Sequence, residues 1–343
     1  MPSVLDFLAD YRARALARDL AVARDLTRRW LRIEEALKGE IDALAAEVAG
    51  LRAAGAAPSA GQLWQLERFR SLLAQTQRQQ KAFADYSAGL ISREQYVAAA
   101  EGIEYGVDSV QAAMASAGIE ASFATLPVDA VQAMIGFAAD GTPLSQLLQA
   151  SYPETAATIT DALVRGIALG TNPRRTARLI RDAMAGNLQR ALVVSRTETL
   201  RALRVATVQQ YQASGVVSGY QRHAARTGRT CLACLLLDGT VYSVLEQFSD
   251  HPNGRCFCTP VLAGMERAGE PAQTGTQWFL AQEPEAQRVI MGDGHYQAWR
   301  RGEFRLEQAA RMHTDPVWGE SPQVVPLREL VGQATRGLAE AAG

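Results

Sequence analysis

All four cysteines of this 343-residue chain fall within "TCLACLLLDG" (230–239) and "SDHPNGRCFC" (249–258), together with one of its four histidines. Cys231 and Cys234 form C-x-x-C, the spacing at which two thiolates of one knuckle reach a single tetrahedral metal ion. Asp238-Gly239 follows at once and is a tight-turn signal. His251 opens the second segment, where Pro252 and Gly254 favour a sharp bend ahead of Cys256 and Cys258. Two thiolates, an imidazole and a third thiolate make a Cys₃His set, a common structural zinc site. The imidazole and the lack of further cysteines favour zinc over iron–sulfur or copper. The expected ligands are Cys231, Cys234, His251 and Cys256. Alternate side chains of an extended segment point to opposite faces, so Cys256 and Cys258 share one ion only across a turn. Cys258 is then a substitute ligand or a small buried residue. A site with four protein ligands has no open position for water or substrate, which makes it structural. Without metal these are four buried thiols, a clustering with little packing rationale, and no βαβ pattern surrounds the C-x-x-C as a redox pair requires.

The composition suits such a centre. Hydrophobic residues make up 48% and charged residues 21% of the chain, and its formal charge is -1. Mean hydropathy is -0.10, and no apolar run reaches the roughly 20 residues of a membrane span. The N-terminus, MPSVLDFLAD, has an early acid and no basic stretch, unlike a signal peptide. The expected compartment is a cytosol, where clustered thiols stay reduced and hold metal more often than they form disulfides.

The elements that must position these residues are mostly helices. From Val4 to about Leu51, Leu16, Leu20, Leu26, Trp30 and Ile33 recur at helical spacing, with a break expected near Gly39. "AAGAAPSAGQ" (53–62) reads as a loop, followed by helices over Leu63–Tyr86 and Ser92–Ala115, the second with a Ser92/Gln95 capping box. Further on, Pro153 opens a helix and Gly170 closes it. Thr171-Asn172-Pro173 then caps a helix over Arg174–Ala185, Gly186-Asn187 ends that one, and another runs from Leu188 to about Ala213. Arginines dominate 165–229 (Arg174, Arg175, Arg178, Arg181, Arg190, Arg196, Arg201, Arg204), as a solvated helical face or as a phosphate-facing surface. "VVSGYQRHAA" and "GTVYSV" read as short strands. Helical patterns return at Glu283–Met291, His295–Arg301 and Pro326–Ala341, with loops "GEPAQTGTQ" and "TDPVWGESPQ" among them. The expected fold is α+β and predominantly helical. It divides into an N-terminal helical region (1–116), a central arginine-rich helical section (117–216), a zinc-stabilised β module (217–264) and a C-terminal helical extension (265–343).

"SRTETLRA" (195–202), "VSGYQRH" (217–223), "RTCLACLLLDGTVY" (229–242) and "HPNGRCFCTPV" (251–261) follow one another in an order that resembles the phage head morphogenesis family, the Mu F-like minor head proteins. That resemblance covers about residues 155–262, and "TQWFLAQEPEAQRVIMGDGHYQAWRRGEF" (276–304) is similar to a tail found after the module. One departure stands out: Gly254 occupies the family's first cysteine position after His-Pro-Asn, and Cys258 is an extra thiol. The resemblance implies a minor capsid protein of phage or prophage origin, acting in head assembly and present in few copies per procapsid. It further implies a portal or inner-shell association, with portal, major capsid or scaffold proteins as partners. The implied location is inside the head of the virion, and the host cytoplasm during assembly.

Other constellations are weaker. Glu198 of Arg196-Thr197-Glu198 can pair with Arg201, three residues on, as a structural contact. His223, His295 and His313 are isolated. Trp278, Trp299 and Trp318 lie near Phe279, Tyr296 and Phe304 and suit packing or docking. Phosphate-loop, Rossmann, H-E-x-x-H and G-x-S-x-G motifs are absent. No catalytic residue, organic cofactor, small-molecule substrate or membrane span is expected, and the chain is read as structural rather than enzymatic. Two alternatives are a metal-dependent HNH-like nuclease built on "SDHPN", which lacks a second C-x-x-C downstream, and a zinc-bearing module that binds DNA through the 165–229 arginines.

Overall fold

The computed structural model describes residues 2–331 apart from 56–59, 64, 151, 170–171, 267–272 and 317. Its α-helices are α1 (Val4–Ala53), α2 (Ala60–Leu63), α3 (Glu67–Ser116), α4 (Leu144–Gln149), α5 (Tyr152–Leu169), α6 (Pro173–Ser214), α7 (Leu232–Leu236), α8 (Gly275–Leu280), α9 (Pro284–Met291) and α10 (Asp293–Arg300). The strands are β1 (Val217–His223), β2 (Val241–Ser243), β3 (Phe257–Leu262), β4 (Ala310–Asp315) and β5 (Gly319–Val324). The fold is α+β and predominantly helical, with no helix long and apolar enough to cross a membrane among the described residues. Two compact units emerge: one of Met1–Leu16, Glu94–Ile135 and Thr197–Gly343, the other of Ala17–Arg93 and Gly136–Arg196.

The second unit is helical. On α1, Val22, Leu26, Trp30, Ile33, Leu37, Ile41, Leu44 and Val48 are buried. Val22, Ile33 and Leu44 recur every eleven residues, as do Leu26, Leu37 and Val48, so the apolar stripe stays on one side of a nearly straight helix. It faces α3 running the other way: Trp30 meets Phe83 edge-on at 5.0 Å, and Arg68 pairs with Glu40 and Glu47. Leu20 lies off the stripe and is exposed.

Three expected breaks are absent because packing overrides local signals. α1 passes through Gly39, whose cost of about 1 kcal/mol in a helix interior is small beside the buried Leu37 and Ile41 flanking it. α3 passes through Ser92, whose Oγ donates to the Ala88 carbonyl at 2.8 Å instead of capping a new helix. α6 passes through Gly186-Asn187, where the Asn187 Nδ2 donates to the Met184 carbonyl and to Thr155 Oγ1. The Asn172 cap is as expected, its Oδ1 accepting from the Arg174 N–H at 2.9 Å. The expected stop at Gly170, the Thr171 cap and part of the 53–62 loop lie outside the described residues.

In the first unit α3 and α6 touch through glycines. A Cβ on Gly102 would lie 2.2 Å from the Leu203 carbonyl oxygen, and one on Gly106 would lie 2.6 Å from Gln210 Cγ. The Thr207 hydroxyl seals this crossing with a 3.0 Å bond to the Gly102 carbonyl. From there α6 feeds β1, the centre of an antiparallel sheet in the order β2-β1-β3. Tyr220 pairs with Tyr242 on one side and Pro260 on the other. All of β3 and all of β1 but Ser218 are buried. The Tyr105 hydroxyl of α3 donates to the Cys258 carbonyl at 2.6 Å, tying helix to sheet.

The C-terminal part adds what periodicity did not reveal. α8 starts on a Thr274/Gln277 capping box, and Phe279 and Met291 join the same core as Leu235 and Cys258. The stretch expected as the loop "TDPVWGESPQ" instead supplies much of a hairpin, with Met312 opposite Pro322 and Asp315 opposite Gly319. Pro322 on an edge strand hides the alternation. Most of Pro326–Ala341 lies outside the described residues.

Candidate metal centre

Cys231 caps α7. Its backbone is extended (φ -68, ψ 153) and its sulfur accepts the Cys234 N–H at 3.4 Å. The C-x-x-C is thus the first turn of a short helix, with both sulfurs brought round to one side. Leu232 and Leu235 anchor that turn in the core. At Asp238-Gly239, Gly239 takes φ +91, a conformation that glycine adopts without strain. Asp238 accepts from the Ala224 N–H at 2.8 Å and the Arg226 guanidinium at 2.6 Å. This turn leads from α7 into β2 and does not form a two-residue hairpin.

The second knuckle bends at Asn253, which has φ +63. The Gly254 N–H donates to the His251 carbonyl at 2.8 Å, closing the turn. Thr197 of α6 accepts the Asn253 N–H at 3.1 Å. Arg204, about two turns further along α6, donates to the Gly254 and Cys256 carbonyls at 2.7 and 2.8 Å. Helix α6 therefore shapes the loop that carries His251 and Cys256.

The ligand atoms of Cys231, Cys234 and His251 lie within 4.8 Å of one another, as do those of Cys234, Asp250 and Cys256. Cys234 belongs to both sets, while Cys256 is grouped with Cys234 and Asp250 and not with Cys231 and His251. His251 Nε2 is 3.2 Å from the Cys231 sulfur. Its Nδ1 lies 2.7 Å from the Pro252 carbonyl, which accepts only if Nδ1 carries the proton, leaving Nε2 as the ligating nitrogen. Cys258 belongs to neither set; it is buried on β3 opposite Arg222.

Asp250 sits beneath the centre as an anchor. Its Oδ1 receives the Arg222 guanidinium at 2.8 Å and its Oδ2 the Arg204 guanidinium at 3.0 Å. The His251 and Cys256 N–H groups also donate to it, at 3.1 and 3.3 Å. With both oxygens so engaged it orients the loop and is a poor competitor for the metal. Burial favours its neutral form, yet the two arginines outweigh this and hold its pKa below the usual carboxylate value. Gly254 completes the arrangement: a Cβ there would lie 2.2 Å from the Asp250 carboxyl carbon. The carboxylate fills the room that a side chain at this position would need.

The donor set fits a divalent ion. Cys256 holds its proton well above the ordinary thiol range, first through its hydrogen bond with Cys234 and then through burial and the Asp250 charge. Burial pushes Cys258 up to about 12. Cys231 is lowered, chiefly by its hydrogen bond with Cys234. Burial pulls the His251 imidazole down, but the neighbouring Cys234 and Asp250 lift it to about 9. Three thiolates on a divalent ion carry one excess negative charge, while Arg204 and Arg222 against Asp250 carry one excess positive charge. The buried assembly is then neutral, the condition under which charges away from water are tolerated.

Sequence reading named Cys231, Cys234, His251 and Cys256 as the expected ligands, and did not anticipate that Asp250, Arg222, Arg204 and Thr197 hold the loop that carries His251 and Cys256. Arg204 was visible only as one of a series of arginines. Of that series Arg174, Arg175 and Arg178 are exposed, while Arg190 donates to the Leu147 carbonyl and Arg196 pairs with Asp19 at 2.8 Å. Arg201 pairs with the buried Glu198 at 2.6 Å, as their spacing anticipated.

Residues 157–263 match the family described as Phage Mu protein F like protein. That span contains α6, the sheet and both knuckles. No curated protein and no solved structure gives a significant match.

Proposed function

With residues 157–263 as a Mu F-like segment, we propose that this chain is a phage minor head protein that acts structurally in procapsid assembly. Its partner at the head would be the portal oligomer or the inner shell. A zinc ion held by Cys231, Cys234, His251 and Cys256 would supply no reaction chemistry; it would cross-link the α7 knuckle to the loop before β3. The observation that carries this reading is the convergence of both knuckles on Cys234, inside the segment that matches the head-protein family.

The nuclease alternative is disfavoured by the same geometry. Asp250 is locked between two arginines, and His251 Nε2 faces the Cys231 sulfur, not an open polar pocket. The DNA-binding alternative loses several of its arginines to internal bonds. Co-expression with a phage portal protein tests the assembly role. The two should co-elute as a complex in size-exclusion chromatography; separate elution at every ionic strength tried would contradict the proposal.

A further inference from the structure

Helix α6 opens with a group of arginines that the fold does not use. Further along it, Arg190, Arg196, Arg201 and Arg204 are engaged by internal partners. Arg174, Arg175 and Arg178 are exposed and Arg181 is half-buried. Among the described residues, none of these four guanidiniums has an ion pair or a hydrogen bond.

Their placement follows from helical periodicity. The buried Thr176, Ala177, Ile180 and Met184 mark the side of α6 turned to the core. At about 100° per residue the four arginines fall within an arc of about 120° on the other side, over about 10 Å of helix axis. Asp182 is the acid of α6 that shares this arc, so four positive charges face one negative. Arg178 is three or four residues from each of the other three, a spacing at which like charges destabilise a helix. The helix therefore carries a concentrated cationic face at a cost to its own stability.

The surroundings decide the kind of partner. The large exposed apolar side chains lie on other elements and none lies on α6. The face thus lacks the apolar anchor on which a protein interface centres and the one with which an amphipathic helix enters a lipid surface. No exposed aromatic ring accompanies the arginines on α6, as stacking on single-stranded bases requires. A small anion on a convex helix face stays largely in water, where ion pairing contributes little. A long polyanion gains instead by releasing condensed counterions, and the planar guanidinium fork matches phosphate oxygens.

We propose that this face of α6 binds the phosphate backbone of double-stranded DNA, as an activity separate from the metal centre and from the portal contact. Duplex DNA carries one negative charge per about 1.7 Å of its axis, so a 10 Å face meets several phosphates in any register.

Fluorescence anisotropy of the full-length chain with a labelled 20-base-pair duplex tests this without zinc or portal protein as a variable. With about three phosphates neutralised, affinity should fall some 40-fold between 50 and 200 mM salt. Replacing Arg174, Arg175, Arg178 and Arg181 together by Gln should weaken binding more than tenfold at 50 mM salt and flatten the salt dependence. The same four changed to Lys should keep most of the affinity. A second quadruple variant, Lys38→Gln with Arg52→Gln, Arg70→Gln and Arg300→Gln, removes equal charge from other exposed positions and should bind like wild type. Arg178→Glu alone should weaken binding severalfold and provides the test if the quadruple variant misfolds by circular dichroism. The proposal is overturned if the wild type does not bind the duplex at 50 mM salt, or if both quadruple Gln variants lose affinity equally. Equal affinity for poly-glutamate or for phosphatidylglycerol vesicles would overturn it as well.

Discussion

Asp250 organises the loop that carries His251 and Cys256. It receives two buried guanidiniums and two loop N–H groups. Asp250→Asn leaves Arg204 and Arg222 buried against a neutral group. The change should cost about 3–5 kcal/mol and weaken zinc binding some 10–100-fold. Urea unfolding and competition with a chromogenic chelator measure the two effects, and an unchanged zinc affinity would remove Asp250 from the support of the centre. His223 offers a pH test. Burial, helped by Arg12 and Arg226, lowers its pKa to about 3, whereas in the unfolded chain it titrates near 6.5. Between those values the unfolded chain binds a proton that the fold refuses, so stability falls as pH drops from 6.5 towards 3. The slope is about 1.4 kcal/mol per pH unit at most. His223→Gln retains a partner for Thr259, 2.8 Å from His223 Nε2, and should flatten that slope at equal zinc saturation; identical pH profiles would contradict the assignment. At this scale the clustering of Cys231, Cys234 and His251 was legible because thiols and imidazoles are few and close in sequence. Their support was not, because Arg204 and Arg222 reach the loop from positions 46 and 28 residues before Asp250.

Among the elements, the long helices were legible from their apolar stripes, and β1 and β2 from their β-branched and aromatic residues. Helix interruptions were over-read. Ser92, Gly39 and Gly186-Asn187 are local stop signals, but each lies where a buried stripe continues on both sides, and tertiary packing outweighs them. The β4–β5 hairpin was missed because β4 buries no residue and the buried pair of β5, Ser321-Pro322, carries a proline and no apolar alternation. The crossing of α3 and α6 sets where Thr197 and Arg204 meet the loop, so it is the element-level determinant of the site. Gly102→Ala places a Cβ against the Leu203 backbone and should cost about 1–3 kcal/mol. Gly39→Ala has nothing within 4 Å and should stabilise by up to about 1 kcal/mol. Thermal unfolding of the pair checks this contrast, and equal effects would mean that the close approach of α3 and α6 is not a constraint.

For the molecule as a whole, the order of the RTE helix, the C-x-x-C knuckle and the His-Pro-Asn loop was enough to suggest a family, which the match over residues 157–263 supports. The helices outside that span carry no comparable signature, since amphipathic stripes are shared by unrelated helical proteins. If the metal-linked segment presents the surface that meets the portal, Cys234→Ser should reduce recovery of the complex several-fold while α1 and α3 remain helical by circular dichroism. Undiminished recovery would place the portal-binding surface elsewhere.

Zinc K-edge X-ray absorption of the purified chain tests the central claim most directly. The account predicts one zinc per chain with three sulfurs at about 2.3 Å and one nitrogen at about 2.0 Å. A protein purified without zinc, or a zinc surrounded mainly by oxygen, would contradict it.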